Sequence, residues 1–330
     1  MTTLTVVLIS RNQAWNIARL IESALKETAS MPGTEIILVD SASSDKTVEI
    51  ASQYPIRILR LHDTQRLSPS AGRFMGYKYT TGELILFVDG DNEMYPGWLE
   101  KAMKIFAENP DLAGLAGPRV PLLKSATDAD KPPLVDRNLN ATVKSLYADG
   151  TAMFRREALQ KAGQFNPYIY SDEEPELCVR LRHAGYRMLH TKYPIAYDYT
   201  DPAEEIATRI ARWRRNLYLG FGQNLRNFLG KEVFWTYCQE RGMGLMPLLI
   251  LILGVISLLT IVFTGNKVWF VLWLLSLAAI VMAYVIKDRS IYQASVSILE
   301  RLLIMDGTVK GFLLKPQDPN SYPGLHDVIK

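Results

Sequence analysis

From Leu245 to Phe263, and again from Val268 to Ile286, the chain runs for 19 residues without a charged side chain. As a helix each run is about 30 Å long, the thickness of a bilayer core, so the pair is read as a transmembrane hairpin rather than as the core of a soluble domain. The four residues Thr264-Gly265-Asn266-Lys267 between them allow only a tight turn, which puts both outer ends on one side. Arg226, Lys231 and Arg241 precede the pair and Lys287, Arg289 and Arg301 follow it, against Lys267 alone at the tip. That bias places both ends in the cytoplasm, as expected for a multi-pass protein of the cell membrane. The hairpin takes residues 243–287 and leaves 288–330 as a cytoplasmic tail. A short amphipathic piece around Ile298–Leu303 is expected there, then irregular chain.

Just before the hairpin, Ile206, Ile210, Trp213, Leu217, Phe221, Leu225 and Phe228 recur every three or four residues, accompanied by Arg209, Arg212, Arg214, Arg215 and Arg226. This pattern predicts one basic amphipathic helix from about Ala203 to Phe228, within a region 203–242 lying in the membrane interface. A helix packed on its own domain with a solvated basic face has the same pattern.

Residues 1–202 read differently. Thr5–Ile9, Glu35–Asp40, Ile56–Leu61 and Glu83–Asp89 are strand-like runs rich in Ile, Leu and Val, the pattern of strands buried on both faces. Between them fall helical stretches over residues 17–25, 45–53 and 68–80. Strands alternating with helices mean βαβ units, hence an α/β domain with a mostly parallel sheet. Further helices are expected near Arg156–Ala162 and Pro175–Ala184. Residues 121–148, with Lys131-Pro132-Pro133, are read as a long loop over the site. A formal net charge of +3 is too small to suggest a nucleic-acid partner. Cys178 and Cys238 are far apart and are read as reduced thiols. The start MTTLTVVLISR lacks the basic and apolar regions of a secretory signal, so the first domain is expected in the cytosol.

In sheets of this kind ligands bind beyond the carboxyl ends of the strands, where Asp40 and Asp89 stand. Asp89-Gly90-Asp91 is by itself a common triplet. At the end of a buried strand, however, two carboxylates repel and lose hydration unless something compensates, and a hard divalent cation bridging carboxylate and phosphate oxygens does so. No Gly-x-Gly-x-x-Gly follows the first strand and no Gly-x-x-x-x-Gly-Lys occurs, which removes the main support for dinucleotide and P-loop readings.

The segments VVLISRNQAWNIARLIESAL, EIILVDSASSDKTVEIA, SAGRFMGYKYTTGELILFVDGD and EEPELCVRLRHAGYRM resemble, in order, the blocks of the family 2 inverting glycosyltransferases of GT-A fold, over roughly residues 4–215. The resemblance implies a nucleotide-sugar-binding domain and a UDP- or GDP-sugar donor. It also implies a divalent cation, Mg2+ or Mn2+, held by Asp91, the second Asp of the motif. Asp40 would contact the nucleotide base, with Ser10 and Asp89 lining the same site. Arg73 would contact nucleotide or phosphate, the alternative being an Arg paired with a carboxylate. Asp45 is as well suited to capping a helix as to touching ligand. Glu174 takes the place of the family's Asp as catalytic base, with Asp172 and Glu173 adjacent; an acidic first turn complementing a helix dipole fits the same cluster. Arg209-Ile210-Ala211-Arg212-Trp213 resembles the (Gln/Arg)-x-x-Arg-Trp motif of processive cellulose and hyaluronan synthases, which would make Arg209, Arg212 and Trp213 acceptor-binding. The architecture resembles polyprenyl-phosphate hexose synthases, and so implies a lipid-linked or glycan acceptor. Expected, then, is a metal-dependent inverting transferase acting in cell-surface glycan or glycolipid synthesis. A processive polysaccharide synthase subunit and a non-catalytic nucleotide-sugar-binding module are the alternatives.

Overall fold

The computed structural model describes residues 2–136, 138–200 and 206–330. The chain forms two compact units, Met1–Asp201 with Gln317–Lys330, and Pro202–Pro316.

The first unit opens with β1 (Leu4–Ser10), α1 (Ile17–Thr28), β2 (Glu35–Asp40), α2 (Thr47–Ala51), β3 (Arg57–Leu61), α3 (Pro69–Lys78) and β4 (Leu84–Asp89). It continues with β5 (Asn92–Met94), α4 (Trp98–Glu108), β6 (Leu112–Ala116), β7 (Arg119–Leu123), β8 (Thr142–Lys144), β9 (Ala152–Arg155), α5 (Arg156–Ala162), α6 (Glu173–His183), β10 (Arg187–Thr191) and β11 (Ala196–Thr200). Strands β3, β2, β1 and β4 are parallel neighbours, as the buried runs predict. Antiparallel β9 inserts between β4 and β6. Along β1 the side chains alternate between two cores, Val6 and Leu8 facing one and Val7 and Ile9 the other, so both faces of the sheet are covered. α1 buries Ile17, Leu20, Ile21 and Ala24. α3 starts where Ser68 accepts a hydrogen bond from the Ala71 amide, with Pro69 in the first turn.

Three expectations are corrected here. α2 is shorter than the stretch 45–53, because Asp45 Oδ1 accepts the Thr47 amide at 3.0 Å and delays the helix start. Residues 121–148 are not all loop: β7 joins β11 and β5 in a small second sheet, and β8 edges the large one. The stretch after residue 316 is not all irregular. A 3-10 turn at Pro319–Ser321 leads into β12 (His326–Val328), which pairs antiparallel with β3 and completes a nine-stranded sheet in the order β12-β3-β2-β1-β4-β9-β6-β10-β8.

The second unit holds α7 (Ile206–Arg214), α8 (Gly220–Phe228), α9 (Val233–Arg241), a 3-10 turn (Gly242–Leu245), α10 (Met246–Thr264), α11 (Val268–Asp288) and α12 (Ile291–Leu313). The single amphipathic helix expected from Ala203 is two helices; Ala203 itself lies outside the described residues. Asn216, at φ 64°, takes the left-handed conformation that Asn tolerates and ends the first of them. The piece expected at 298–303 belongs to the 23-residue α12. α8 and α12 touch backbone to backbone: a Cβ on Gly222 would sit 2.0 Å from the Thr308 carbonyl oxygen, and one on Gly311 2.1 Å from that of Leu219. α10 and α11 are long and apolar enough to cross a membrane and bury little of their surface within the protein. Gly265 caps α10 at φ +70°, its amide donating to the Ile261 carbonyl.

Candidate active site

The register of the sheet sets Ser10 beside Asp40 and Ile9 beside Asp89, so three expected site residues stand together at the carboxyl ends of β1, β2 and β4. The antiparallel pairing of Phe87 with Ala152 brings Gly150 and Thr151, just before β9, against the end of β4. A Cβ on Gly150 would lie 2.2 Å from Asp89 Oδ2 and 2.9 Å from Arg73 Nη2, so only glycine lets this loop approach.

Arg73 reaches the same point from α3. Its side chain is 2 % exposed, and Nη2 donates to Asp89 Oδ1 at 2.8 Å and to the Gly150 carbonyl at 3.0 Å. Nη1 donates to Glu173 Oε1 at 2.8 Å, and Glu174 Oε1 lies 3.1 Å from Nη2. One buried cation thus gathers three carboxylates, from β4 and from the first turn of α6. Of the two readings of Arg73, carboxylate pairing is the one its geometry displays. The acidic turn also complements the α6 dipole, as expected. Asp172 precedes it at φ 61°, and Glu176 is turned away to Arg180 at 2.6 Å. Glu173 is 5 % exposed and Glu174 17 %, so Glu174 presents the more open carboxylate. Burial raises the proton affinity of both, and Arg73 opposes it.

Asp91 is held differently. Its carboxyl is pushed up to about 7 by burial, then by Asp89 and Asp198. Asn92 Nδ2 donates to Asp91 Oδ1 at 3.1 Å and to Asp198 Oδ1 at 3.2 Å, while Asn92 Oδ1 accepts from Thr151 Oγ1 at 2.5 Å. Arg119 pairs with Asp198 at 3.6 Å. Among the described residues no group of three or more His, Cys, Asp or Glu side chains is arranged to hold a metal. A Mg2+-type ion is commonly bound by only one or two carboxylates, with phosphate oxygens and water completing its shell, and Asp89 and Asp198 set two further acidic groups near the buried Asp91. Asp91 with Asp89 fits that lesser demand.

Asp40 is fully buried and turned inward, accepting from the Ser43 amide at 2.8 Å and from the Ser43 hydroxyl; burial raises its proton affinity. Among the described residues the buried Ser10 hydroxyl has no hydrogen-bond partner. Asp45 accepts from the Thr47 amide in the turn before α2, whose N-cap is Lys46. Arg209, Arg212 and Trp213 belong to the second unit. There Arg209 pairs with Glu300 at 2.8 Å, the Trp213 indole donates to Asp306 Oδ2 at 2.6 Å, and Arg212 is exposed.

Residues 5–163 match the Glycosyl transferase family 2 model and residues 146–286 that of Glycosyl transferase family group 2. The chain carries a glycosyl transferase family 2 domain. The chain is 26% identical over 221 residues to the pre-mycofactocin glycosyltransferase of Mycobacterium tuberculosis, covering 63% of this chain and 44% of that protein. It is 25% identical over 197 residues to glycosyltransferase AglE of Haloferax volcanii, covering 56% of this chain and 62% of that one. The chain therefore spans less than two thirds of the length of these curated relatives. Its fold is similar to that of the mannosyltransferase PcManGT from Pyrobaculum calidifontis in complex with GDP-Man and Mn2+, with a TM-score of 0.63 at 18% identity over 95% of this chain and 88% of that one. It is also similar to S. aureus TarS 1-349 in complex with UDP-GlcNAc, with a TM-score of 0.51 at 15% identity over 99% and 96% of the two chains. The chain thus has the GT-A fold that its sequence blocks imply.

The sequence reading missed Gly150, Thr151, Asn16, Asn92 and Asp198. Gly150-Thr151 had a visible signal, a turn residue where order resumes. Asp198 sits mid-strand among tyrosines and carries none.

Proposed function

We propose that the chain is an inverting glycosyltransferase that moves a sugar from a UDP- or GDP-sugar to a lipid-linked acceptor at the cytoplasmic membrane face. The observation that carries this reading is the Arg73-centred gathering of Asp89, Glu173 and Glu174 beside Asp91, at the carboxyl edge of a parallel sheet. The family 2 domain supplies the reaction class. The GDP-Man and UDP-GlcNAc of the two structural neighbours support the donor class, and the two long apolar helices support the membrane.

In this reading Glu174 takes the proton of an acceptor hydroxyl. The freed oxygen bonds to the anomeric carbon from the face opposite the nucleotide, and the bond to the diphosphate breaks with its electron pair leaving on the diphosphate. Burial, and then the neighbouring Asp89 and Asp172, raise the proton affinity of Glu174 against the pull of Arg73, which favours proton uptake by this carboxylate. Arg73 holds that carboxylate against α3 and Asp89 and keeps it from swinging into solvent. Mg2+ or Mn2+ held by Asp91, with Asp89 beside it, would supply the charge that steadies the departing diphosphate. In this reading Asp40 and Ser10 lie at the nucleotide end of the site, Asp40 acting through the Ser43 turn that it holds.

Single transfer is proposed over chain extension because Arg209 and Trp213, the residues that suggest a processive synthase, are engaged by Glu300 and Asp306. The test is a panel of UDP- and GDP-sugars offered with membrane lipid extracts and Mn2+ to wild type, Glu174→Gln and Asp91→Ala. One sugar added to a lipid by wild type and by neither variant is the expected result. Full transfer by both variants sinks the mechanism, a ladder of products sinks the single-transfer reading, and donor binding without turnover points to a non-catalytic module.

A further inference from the structure

The loop between β1 and α1 carries a side chain that the reaction as described does not use. Asn16 is 1% exposed, and its Nδ2 donates to the Gly90 carbonyl at 3.0 Å and to the Asn92 carbonyl at 2.9 Å. Those two carbonyls flank Asp91. The remaining Asn16 atom, Oδ1, accepts from Arg19 Nη1 at 3.1 Å, so both donor hydrogens and one of the oxygen's two acceptor positions are used in place. Gly90 sits directly under the same loop: a Cβ there would lie 2.8 Å from Gln13 Cγ and 2.9 Å from the Ile9 carbonyl oxygen.

The other end of the loop is fastened to the turn after β2. The Asn12 amide donates to Ser43 Oγ at 2.8 Å, and Ser43 in turn donates to Asp40. The Gln13 amide donates to Thr47 Oγ1 at 2.8 Å and the Ala14 amide to Asp45 Oδ2 at 3.0 Å. Residues 11–16 therefore form a strut from Asp40 at one end to the Asp89-Gly90-Asp91 turn at the other.

We propose that Asn16 is a positioning residue that fixes the Asp91 carboxylate for a divalent cation by clamping both carbonyls that flank it. The proposal rests on the reading of Asp91 as the metal-holding residue. Only a primary amide supplies two donors from one nitrogen at this length. Alanine leaves two buried carbonyls unpaired, and an ionised Asp has no hydrogen to give. Outer-sphere groups that orient a metal ligand are worth about 10–100-fold in metal affinity.

The experiment is Mn2+ binding by full-length protein in detergent, followed by the paramagnetic resonance of free Mn2+, with Mn2+ alone and with GDP or UDP added. Asn16→Ala is expected to weaken Mn2+ binding about tenfold. Asn16→Asp, close in size and serving as the second variant if alanine does not fold, is expected to weaken it too, although it adds an acidic side chain near the cation. Unchanged affinity in a folded variant overturns the proposal, as does tighter binding by Asn16→Asp, which would mean that charge and not positioning is at work. Asp91→Ala separates the two levels. Mn2+ binding that survives it refutes the metal reading together with this inference, whereas binding lost in Asp91→Ala but intact in the Asn16 variants refutes the positioning role alone.

Discussion

Arg73 Nη2 stands 2.8 Å from Asp89 Oδ1, the guanidinium sealed in the protein interior and the carboxylate 27 % exposed at the strand end. A buried cation facing several carboxylates is costly to build and more costly to break, because removing one partner leaves the others charged and dry. Arg73→Met is therefore expected to destabilise the first unit by about 3–5 kcal/mol at neutral pH. Arg73→Lys, a single nitrogen in place of a planar fork, should not restore it. Denaturant unfolding followed by tryptophan fluorescence checks this; a loss under about 1 kcal/mol for Arg73→Met would mean that the carboxylates are neutralised by something else.

Glu173 and Glu174 both touch Arg73, but the more exposed Glu174 is the one suited to meet a substrate. Glu174→Gln should lower the rate of transfer by about 10²–10⁴ while leaving donor binding within about twofold, as removing a general base does. Glu173→Gln should instead keep a measurable turnover and lower stability. Separate kcat and donor-affinity measurements decide the matter, and a larger kcat loss at Glu173 would move the base by one residue.

The strands and first helix of the first unit are legible in the sequence because β1 to β4 are buried on both faces and α1 is strongly amphipathic, two periods that do not resemble each other. Asp40, Asp89 and Ser10 follow, since a parallel sheet puts its ligands beyond the strand ends. The partners of Arg73 do not follow. Asp89 lies 16 residues from it and Glu173 lies 100, and a residue's burial among distant chain segments leaves no local mark. The break between α7 and α8 is hidden for a related reason: Asn216 permits a left-handed turn but does not demand one, and the apolar spacing runs on through it. β12 is hidden because His326-Asp327-Val328 is too short to display alternation.

Asp91 makes the protein's stability depend on pH in a definite direction. Burial and its acidic neighbours raise its carboxyl from 3.8 to about 7, so between those values the folded protein holds a proton that the unfolded chain releases. Its contribution is fully present below about pH 4, the ordinary Asp value, and is lost as pH rises through about 7. Metal-free wild type should therefore lose stability between pH 5 and pH 8 relative to Asp91→Asn, whose curve should be flatter over about the same window. Mn2+ should raise the melting temperature of wild type more at pH 8 than at pH 6, because the cation competes with the proton. Equal slopes for wild type and Asp91→Asn without metal would remove the basis for this expectation.

Tyr322 gives the last prediction. It lies in the stretch that returns to the first unit after α12, and its hydroxyl donates to the Arg66 carbonyl at 2.7 Å. Its ring packs edge-on against Phe74 at 5.7 Å and Tyr168 at 5.6 Å. Phe74 follows Arg73 on α3. Arg66 donates to the Tyr168 carbonyl at 2.6 Å and to the Tyr170 hydroxyl at 3.0 Å, in the loop that leads to Glu173 and Glu174. One aromatic side chain from the end of the chain therefore backs both elements that bring Arg73 and its carboxylates together. Tyr322→Ala should cost about 3 kcal/mol, as the loss of a buried aromatic does, and Tyr322→Phe about 1 kcal/mol for the hydroxyl alone. Hydrogen exchange should locate the effect: faster exchange across residues 66–76 and 166–174, with α1 still protected. Uniformly faster exchange would assign Tyr322 to global stability instead, and no change in either variant would mean that the final strand rests on the sheet without bracing it.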